Sequence, residues 1–268
     1  MKRILLAFQF LTIVPLRVGG EISEKEIGGA SACFPLVGVF QGALLVAANF
    51  ILKKVFPVEL TNGLLVLLLV LSNGGFHLDG LADTFDAIGA KSECNTDIDI
   101  QKRLAIMRDS TIGPIGVIAI VLTLLLKFLA LNSLSHSSLS IFHLSLFLMP
   151  ILPKWTMVIS MFYGKPAREE GLGRIFINRI GFKEIAISTI VLFVILIGLQ
   201  VFFSHYMSDN QYIFYAILLV IMYFFSRMSV GFFNRKFGGL TGDTLGAISE
   251  ITEITFLSML LAWSRLFI

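Results

Sequence analysis

Seven apolar stretches, each close to the length of a membrane-spanning helix, divide this sequence. A helix needs about 20 mostly apolar residues to cross the hydrocarbon core of a bilayer. The stretches are residues 33–52, 60–76, 113–134, 140–163, 185–205, 213–233 and 245–268. Only 15% of the 268 residues are charged, whereas soluble domains carry about 25%. The sequence therefore predicts an all-α, polytopic integral membrane protein with about seven transmembrane helices, folded as one domain over residues 1–268.

The N-terminus precedes these stretches and has a different pattern. Met1, Lys2 and Arg3 are followed by the apolar residues 4–14, an order that is also found in signal peptides. No small-residue cleavage motif follows, and the stretch is too short to span the hydrocarbon core. We therefore expect a retained interfacial or re-entrant helix here.

Lysine and arginine collect on one side of the predicted spans. That side holds the N-terminus and three polar loops, whereas the opposite side holds only Lys53, Lys54 and Arg265. Because basic loops remain in the cytoplasm, we expect the loops to face the cytoplasm from the inner (cytoplasmic) membrane. The loops are residues 77–112, 164–184 and 234–244. The net charge of +3 and the scattered basic residues give no support to nucleic-acid binding.

The first polar loop opens with His77 and then carries Asp79, Asp83 and Asp86. On a helix, this spacing places the three carboxylates along one face, where they repel each other. A divalent cation would remove the repulsion, and oxygen ligands favour magnesium or manganese. We therefore predict a metal site, with a solvated acidic face as the alternative. His77 is a candidate general base or a structural histidine.

The same loop ends with Arg103, Arg108 and Asp109, before Gly113 and Pro114. Two guanidinium groups can hold phosphate oxygens, and we assign both arginines to substrate binding. Asp109 is a candidate catalytic group or metal ligand. The alternative interpretation is a positive membrane anchor followed by a capped helix.

The other two loops add further polar groups. Gly239, Thr241 and Gly242 precede Asp243 where the last apolar stretch begins, and a glycine-rich turn at a helix start exposes N–H groups to an anion. We assign the first three residues to substrate binding and Asp243 to metal binding, with helix capping as its alternative. Arg168 is a phosphate contact or part of a merely solvated loop.

Charged residues also lie inside the predicted spans. Lys154 follows Pro150 and Pro153, which should break a helix at membrane depth and leave the lysine facing a polar cavity. This lysine either contacts a substrate phosphate or pairs with Glu250 or Glu253. Intramembrane carboxylates are costly and usually functional.

One predicted membrane face thus carries three kinds of group: acids that suit a cation, arginines that suit phosphates and glycine turns that suit anions. This combination is typical of phosphoryl transfer, in which positioning and charge neutralisation provide most of the catalysis.

These motifs also resemble those of a known family. Residues 75–86, Gly-Phe-His-Leu-Asp-Gly-Leu-Ala-Asp-Thr-Phe-Asp, are similar to the signature of cobalamin synthase, the adenosylcobinamide-GDP ribazoletransferase of bacteria and archaea. Phe76 and Phe85 stand where that family often has small residues, a difference that concerns packing. Further segments resemble other motifs of the family, in family order across nearly the whole chain: residues 8–15, 34–38, 103–116, 168–173 and 238–243.

The resemblance implies the last step of nucleotide-loop assembly in cobalamin biosynthesis. There, α-ribazole or its 5′-phosphate attacks adenosylcobinamide-GDP, and adenosylcobalamin or its 5′-phosphate forms together with GMP. The expected cofactor is Mg²⁺. By matching position, Asp79, Asp83, Asp86 and Asp109 inherit metal-binding or catalytic roles, and Asp243 inherits a nucleotide or metal role. A homo-oligomer and a complex with other nucleotide-loop enzymes are both compatible with the sequence.

Other classes of protein share some of these features. CDP-alcohol phosphotransferases use a longer motif with an arginine after Asp-Gly-x-x-Ala, whereas Ala82 is followed here by Asp83. Aspartate-rich prenyltransferases lack the glycine turn. A transporter should show internal repeats and sites at the membrane midplane, but the sequence has no clear repeat and its acids cluster at one interface.

Overall fold

Helices form almost all of the regular structure of this protein. The computed structural model describes residues 1–93, 95–202 and 211–267. The α-helices in these ranges are α1 (Lys2–Leu11), α2 (Glu24–Ala30), α3 (Phe34–Leu52), α4 (Val58–Ser72), α5 (Phe76–Gly89), α6 (Thr96–Ile106), α7 (Pro114–Ser135), α8 (Leu139–Tyr163), α9 (Leu172–Arg179), α10 (Phe182–Phe202), α11 (Gln211–Phe237) and α12 (Gly242–Phe267). Over the same ranges there is no strand beyond an isolated bridge between Pro166 and Leu240.

The prediction of a multi-pass, all-α membrane protein is confirmed. Within the described ranges, six helical segments are long and apolar enough to cross a membrane: Glu24–Leu52, Pro114–Ser135, Leu139–Tyr163, Phe182–Val201, Tyr212–Phe237 and Gly242–Phe267. The pair α4 and α5 makes a seventh if it is taken as one bent span. The ends of two predicted spans, at residues 203–205 and 268, lie outside the described residues.

The predicted span 60–76 ends earlier than expected. Helix α4 stops at Ser72, and α5 leaves it at an angle of 86°. Between the two helices, Gly74 and Gly75 have φ values of 67° and 76°, a left-handed conformation that glycine adopts without steric cost. The two glycines therefore turn the aspartate-bearing helix away from the axis of α4.

Helix α5 then lies directly against α12, because small residues line the crossing. A Cβ atom added to Gly80 would lie 2.8 Å from the Cα of Asp243, and one added to Gly246 would lie 3.2 Å from the Cα of His77. This close packing holds the aspartates of α5 beside the first turn of α12.

Helix α8 forms the centre of the bundle and runs unbroken past Pro150 and Pro153, so the predicted break is wrong. The carbonyl groups freed by the prolines can find other partners inside a packed membrane protein. The freed carbonyls are those of Leu146 and Met149, four residues before the prolines, and both residues are buried where α8 packs against its neighbours.

Helix α1 is ten residues long, too short to span a bilayer, as predicted for the N-terminus. Its residues Leu6, Ala7 and Leu11 are buried, and it packs on α2 and α3. The helix therefore forms part of the protein body, and its depth in the bilayer stays a prediction.

Candidate active site

The second and third predicted polar loops are joined by backbone pairing. The N–H of Leu240 donates to the carbonyl of Lys165 at 2.7 Å, and the N–H of Ala167 donates to the carbonyl of Leu240 at 2.9 Å. Gly239 makes this approach possible, since a Cβ there would lie 2.5 Å from the carbonyl oxygen of Lys165. The structure thus gives Gly239 a packing role within the predicted site.

Thr241, and not Asp243, caps the helix that follows this pairing. The hydroxyl of Thr241 accepts a hydrogen bond from the N–H of Thr244 at 3.1 Å, and the N–H of Thr241 donates back to the hydroxyl of Thr244 at 2.9 Å. Among the described residues, no acceptor contacts the N–H groups of Gly242 and Asp243. These groups at a helix N-terminus are suited to bind an anion.

Asp243 faces Arg168 across the joined loops. A guanidinium nitrogen of Arg168 lies 3.6 Å from a carboxylate oxygen of Asp243, and the same oxygen accepts a hydrogen bond from Thr241 at 3.2 Å. Arg168 also donates to the carbonyl of Leu104 at 3.2 Å, so it joins the first polar loop to the other two. Arg108 lies near enough for its charge to act on Arg168.

Asp79 and Asp83 complete this acidic and basic group. Asp83 is half-buried and experiences the like charges of Asp79, Asp243 and Asp86. Asp79 is exposed and lines a cavity beside Asp243. No hydrogen bond or ion pair engages the carboxylate of Asp79 or of Asp83 within the described part of the chain. Neighbouring carboxylates that form no ion pair are suited to hold a cation.

Asp86 has a different environment from the other two aspartates of α5. Its carboxylate accepts hydrogen bonds from the N–H groups of Gly113 at 2.7 Å and Gly116 at 2.8 Å. It therefore caps the N-terminus of α7, and each oxygen already has a partner. The assignment of Asp86 to metal binding stays a prediction, and the start of α7 competes for its oxygens.

Arg103 is also committed to the fold. It is buried, lies 3.7 Å from Asp99 and donates to the carbonyl of Lys236 at 3.4 Å. These contacts fasten α6 to the end of α11. They give Arg103 a structural role, and its assignment to phosphate binding stays a prediction, whereas Arg108 is exposed at the end of the loop.

Asp109 is exposed and forms a local turn with Thr111. Its carboxylate accepts hydrogen bonds from the hydroxyl of Thr111 at 2.8 Å and from its N–H at 3.0 Å. These bonds hold the pKa of Asp109 below its usual value, which makes it a weaker base.

His77 is 5% exposed and lies on the side of α5 that contacts α12. Its Nδ1 is 3.3 Å from the hydroxyl of Ser249 and 3.5 Å from the amide nitrogen of Asn73. His77 also lines the cavity that Asp79 and Asp243 border, so it remains a candidate catalytic group.

Lys154 lies deeper, in a buried cluster of charges. The ion pairs there join Lys127 to both Glu250 and Glu253, and among the described residues the structure does not show the alternative in which Lys154 pairs with one of them. Lys154 is 1% exposed and experiences the charges of both glutamates without an ion pair within the described residues. It lies one helical turn before Met157, which lines the cavity.

The residues present suit a hard cation without forming a complete site. Among the described residues, no group of three acidic, histidine or cysteine side chains converges as a metal site. Magnesium is usually held by one or two carboxylates, with phosphates and water providing the other ligands. Asp79 and Asp83 fit this pattern, because their oxygens have no other partner in the described structure.

The structure adds two cavities that sequence reasoning missed. The larger, of about 560 Å³, is lined mainly by apolar side chains from several helices. The smaller, of about 250 Å³, contains Arg168 and Arg174. The mixed-charge segment 168–174 was a signal for the smaller cavity, but no local pattern marks the larger one.

Fold and site together define a polytopic helical membrane protein in which acidic and basic side chains meet at one end of the bundle. The chain belongs to the cobalamin-5-phosphate synthase family, which residues 3–261 match. A relative from Thermodesulfovibrio yellowstonii, named adenosylcobinamide-GDP ribazoletransferase, is 37% identical over 100% of this chain and 99% of its own length. Relatives of the same name from Acetivibrio thermocellus and Geotalea daltonii are 35% and 32% identical, each over 96% of both chains. No solved structure matches the chain.

Proposed function

We propose that this protein transfers the adenosylcobinamide phosphate group of adenosylcobinamide-GDP to α-ribazole or α-ribazole 5′-phosphate. The products are adenosylcobalamin or its 5′-phosphate, and GMP. Family membership over residues 3–261 supports the reaction, as do full-length relatives that carry the name of this enzyme. The observation that carries it is structural: the carboxylates of Asp79 and Asp83 lie beside Arg168 and the N–H groups that open α12, and none of these carboxylates or N–H groups has a hydrogen-bond partner among the residues that the structure describes.

The reaction exchanges one phosphorus–oxygen bond for another. A hydroxyl oxygen of the ribazole forms a bond to the phosphorus that carries cobinamide. The bond from that phosphorus to the bridging oxygen breaks, and GMP leaves with that oxygen. His77 lines the larger cavity beside Asp79, whereas Asp109 does not border it, so His77 is the better placed of the two to accept the hydroxyl proton.

Several groups of the chain neutralise the diphosphate in this proposal. Arg168, half-buried beside Asp243, and exposed Arg108 would contact phosphate oxygens. The N–H groups of Gly242 and Asp243 would bind another. Asp79 and Asp83 would hold Mg²⁺, with Asp243 as a further ligand. When bound, Mg²⁺ offsets charge on the diphosphate and on the leaving GMP.

We also propose that this end of the bundle faces the cytoplasm. The three polar loops that meet there carry most of the basic loop residues, and such loops remain on the cytoplasmic side. A single cysteine introduced at Glu169, in a background without Cys33 and Cys94, should react with an impermeant thiol reagent in inverted vesicles. Reaction only in right-side-out vesicles would reverse the orientation.

Product analysis tests the reaction directly. Purified protein in nanodiscs is mixed with Mg²⁺, adenosylcobinamide-GDP and α-ribazole, and both GMP and the corrinoid product are identified by mass spectrometry. We expect equal amounts of the two products, and neither when Mg²⁺ is chelated. Parallel reactions with α-ribazole 5′-phosphate determine which nucleophile is preferred. GMP release that does not need a ribazole would mean hydrolysis and would contradict the proposal.

A further inference from the structure

The larger cavity lies beneath α1 and has an apolar wall. Leu6, Phe10 and Leu11 of α1 form one side of it, and Met157 and Phe176 lie on others. The ring centroids of Phe10 and Phe176 are 4.4 Å apart, which is contact distance for aromatic rings. A volume of about 560 Å³ falls within the range of small-molecule sites.

One edge of this cavity is acidic and belongs to the candidate active site. Asp79 and Asp243 border it, and Asp243 also borders the smaller cavity that contains Arg168 and Arg174. The two cavities share Phe10, Gly242 and Asp243. An apolar chamber and a basic chamber therefore meet at the start of α12.

This inference rests on the proposed function and assigns its two substrates to the two chambers. We propose that the larger cavity holds the bicyclic aromatic base of α-ribazole and that the smaller one holds phosphates of the GDP moiety. The hydroxyl of the ribazole would then lie at the shared wall, where Asp79 and Asp243 border the cavity.

The chemistry of the substrates favours this assignment over its alternatives. Phosphates are excluded from an apolar wall by the cost of removing their charge from water. The corrinoid ring system is far larger than the cavity. The polar side chains of the cavity are Gln9, Asn73, His77, Asp79 and Asp243. Most of the remaining wall is apolar, so the several polar groups of a purine ring would be left partly unpaired at a cost. The ribazole base carries fewer polar groups than guanine or the adenine of the adenosyl ligand, and it can pack against Phe10 and Phe176.

In this assignment, α1 forms the wall that determines which base fits into the larger cavity. Leu6 is 8% exposed and Leu11 is 2% exposed, so α1 is held firmly over the cavity. A bulkier side chain on the inner face of α1 would reduce the space left for the base without touching the basic chamber.

The test is Leu6→Trp, with Ile4→Trp as a matched control on the same helix, where Ile4 is 39% exposed. We expect Leu6→Trp to raise the KM for α-ribazole at least about tenfold, because overfilling a packed site is strongly unfavourable. The KM for adenosylcobinamide-GDP and the activity of Ile4→Trp should stay near wild type. Met157→Phe fills the cavity from another wall and should act like Leu6→Trp if the tryptophan disrupts folding.

Equilibrium binding of α-ribazole alone, measured by calorimetry on the full chain in nanodiscs, gives a readout that needs no turnover. It should weaken in both filling variants. If wild type releases GMP but the filling variants bind α-ribazole normally, the cavity assignment is wrong and the proposed function stands. A rise only in the KM for adenosylcobinamide-GDP would also overturn the assignment. The assignment would also be overturned if a lipid copurified with wild type but not with the two filling variants, while all three bound α-ribazole equally well. If wild type binds α-ribazole but catalyses nothing, the proposed function fails instead.

Discussion

The carboxylate of Asp86 accepts a hydrogen bond from the backbone N–H of Gly113 at 2.7 Å. A second bond, from Gly116, engages the other oxygen at 2.8 Å. The partial positive charge of a helix N-terminus favours an ionised carboxylate at this position. The third aspartate of the α5 motif thus fixes the start of α7, while the first two remain available to a ligand.

Asparagine substitutions should separate these two roles. Asp86→Asn removes the charge and one acceptor, so it should destabilise the protein by about 1–2 kcal/mol, as the loss of a helix cap does. Asp83→Asn should leave the melting temperature unchanged or raise it, because it relieves repulsion from Asp79 and Asp243. Thermal unfolding followed by tryptophan fluorescence in detergent measures both effects.

The activities of the two variants should rank in the opposite order to their stabilities, with Asp83→Asn the less active. Asp83→Asn should reduce GMP release by more than about a hundredfold. Replacing a residue that only hydrogen-bonds to a metal ligand usually costs less, about 10- to 100-fold. Asp86→Asn should retain more activity at temperatures where it is folded. A stable Asp83→Asn variant that still shows magnesium-dependent GMP release would remove this carboxylate from the mechanism.

Gly239→Ala should disconnect the two loops that carry Arg168 and Asp243. The added Cβ would lie 2.5 Å from the carbonyl oxygen of Lys165 and 2.7 Å from the nitrogen of Ala167, so the backbone pairing must shift. We expect a loss of stability of about 1–3 kcal/mol, the usual range for overpacking, together with reduced activity. Differential scanning fluorimetry and GMP release measure the two effects.

Gly231→Ala is the matched control for this substitution. Nothing lies within 4 Å of a Cβ added there, in the middle of α11, where alanine is the better helix former. This variant should be as stable and as active as wild type. Equal losses in both alanine variants would show that close approach at Gly239 is not the cause.

Hydropathy was sufficient to predict the membrane helices, because a bilayer requires apolar side chains along each span. It failed where tertiary contacts replaced a local rule. Pro150 and Pro153 should break a helix, yet α8 continues past both, buried among the other helices along nearly its whole length. The bend after Ser72 was also missed, although Gly74 and Gly75 stand at it.

The sequence was sufficient to predict which residue types form the site, but not which role each residue has. Asp79, Asp83, Asp86 and Asp243 all have the chemistry of metal ligands. Only the fold shows that Asp86 meets Gly113, far away in sequence, and that α1 covers a cavity beside Asp243. Such contacts depend on how helices pack, and no local sequence pattern specifies them.

Acidification should weaken the attachment of α6. The pKa of Asp99 is lowered by hydrogen bonds from the hydroxyl of Ser92 and the N–H of Glu93, and by the charge of Arg103. Because the folded pKa lies below the ordinary value of 3.8, the ionised group stabilises the fold above that pH. This stabilisation is lost as the pH falls through the folded value.

Asp99→Asn should therefore melt at a lower temperature than wild type at pH 7, and the difference should shrink as the pH falls below about 4. Ser92→Ala removes the largest of these causes and should give a smaller difference with the same pH dependence. Thermal melts across this pH range provide the measurement. A difference that stays constant with pH would show that packing, and not charge, explains the effect.

The buried cluster in the bundle supports a prediction about charge balance. Lys127 pairs with Glu250 and Glu253, and Lys154 brings the cluster to two positive and two negative groups, all of them buried. Lys127→Met leaves one negative charge uncompensated, which typically costs about 3–5 kcal/mol at a buried site. Adding Glu250→Gln restores the balance, since Glu253 then faces Lys154 alone. The double variant should therefore unfold at a higher temperature than Lys127→Met, although it has lost one more charged group. If the double variant were the less stable of the two, hydrogen-bond geometry and not net charge would hold this part of the bundle together.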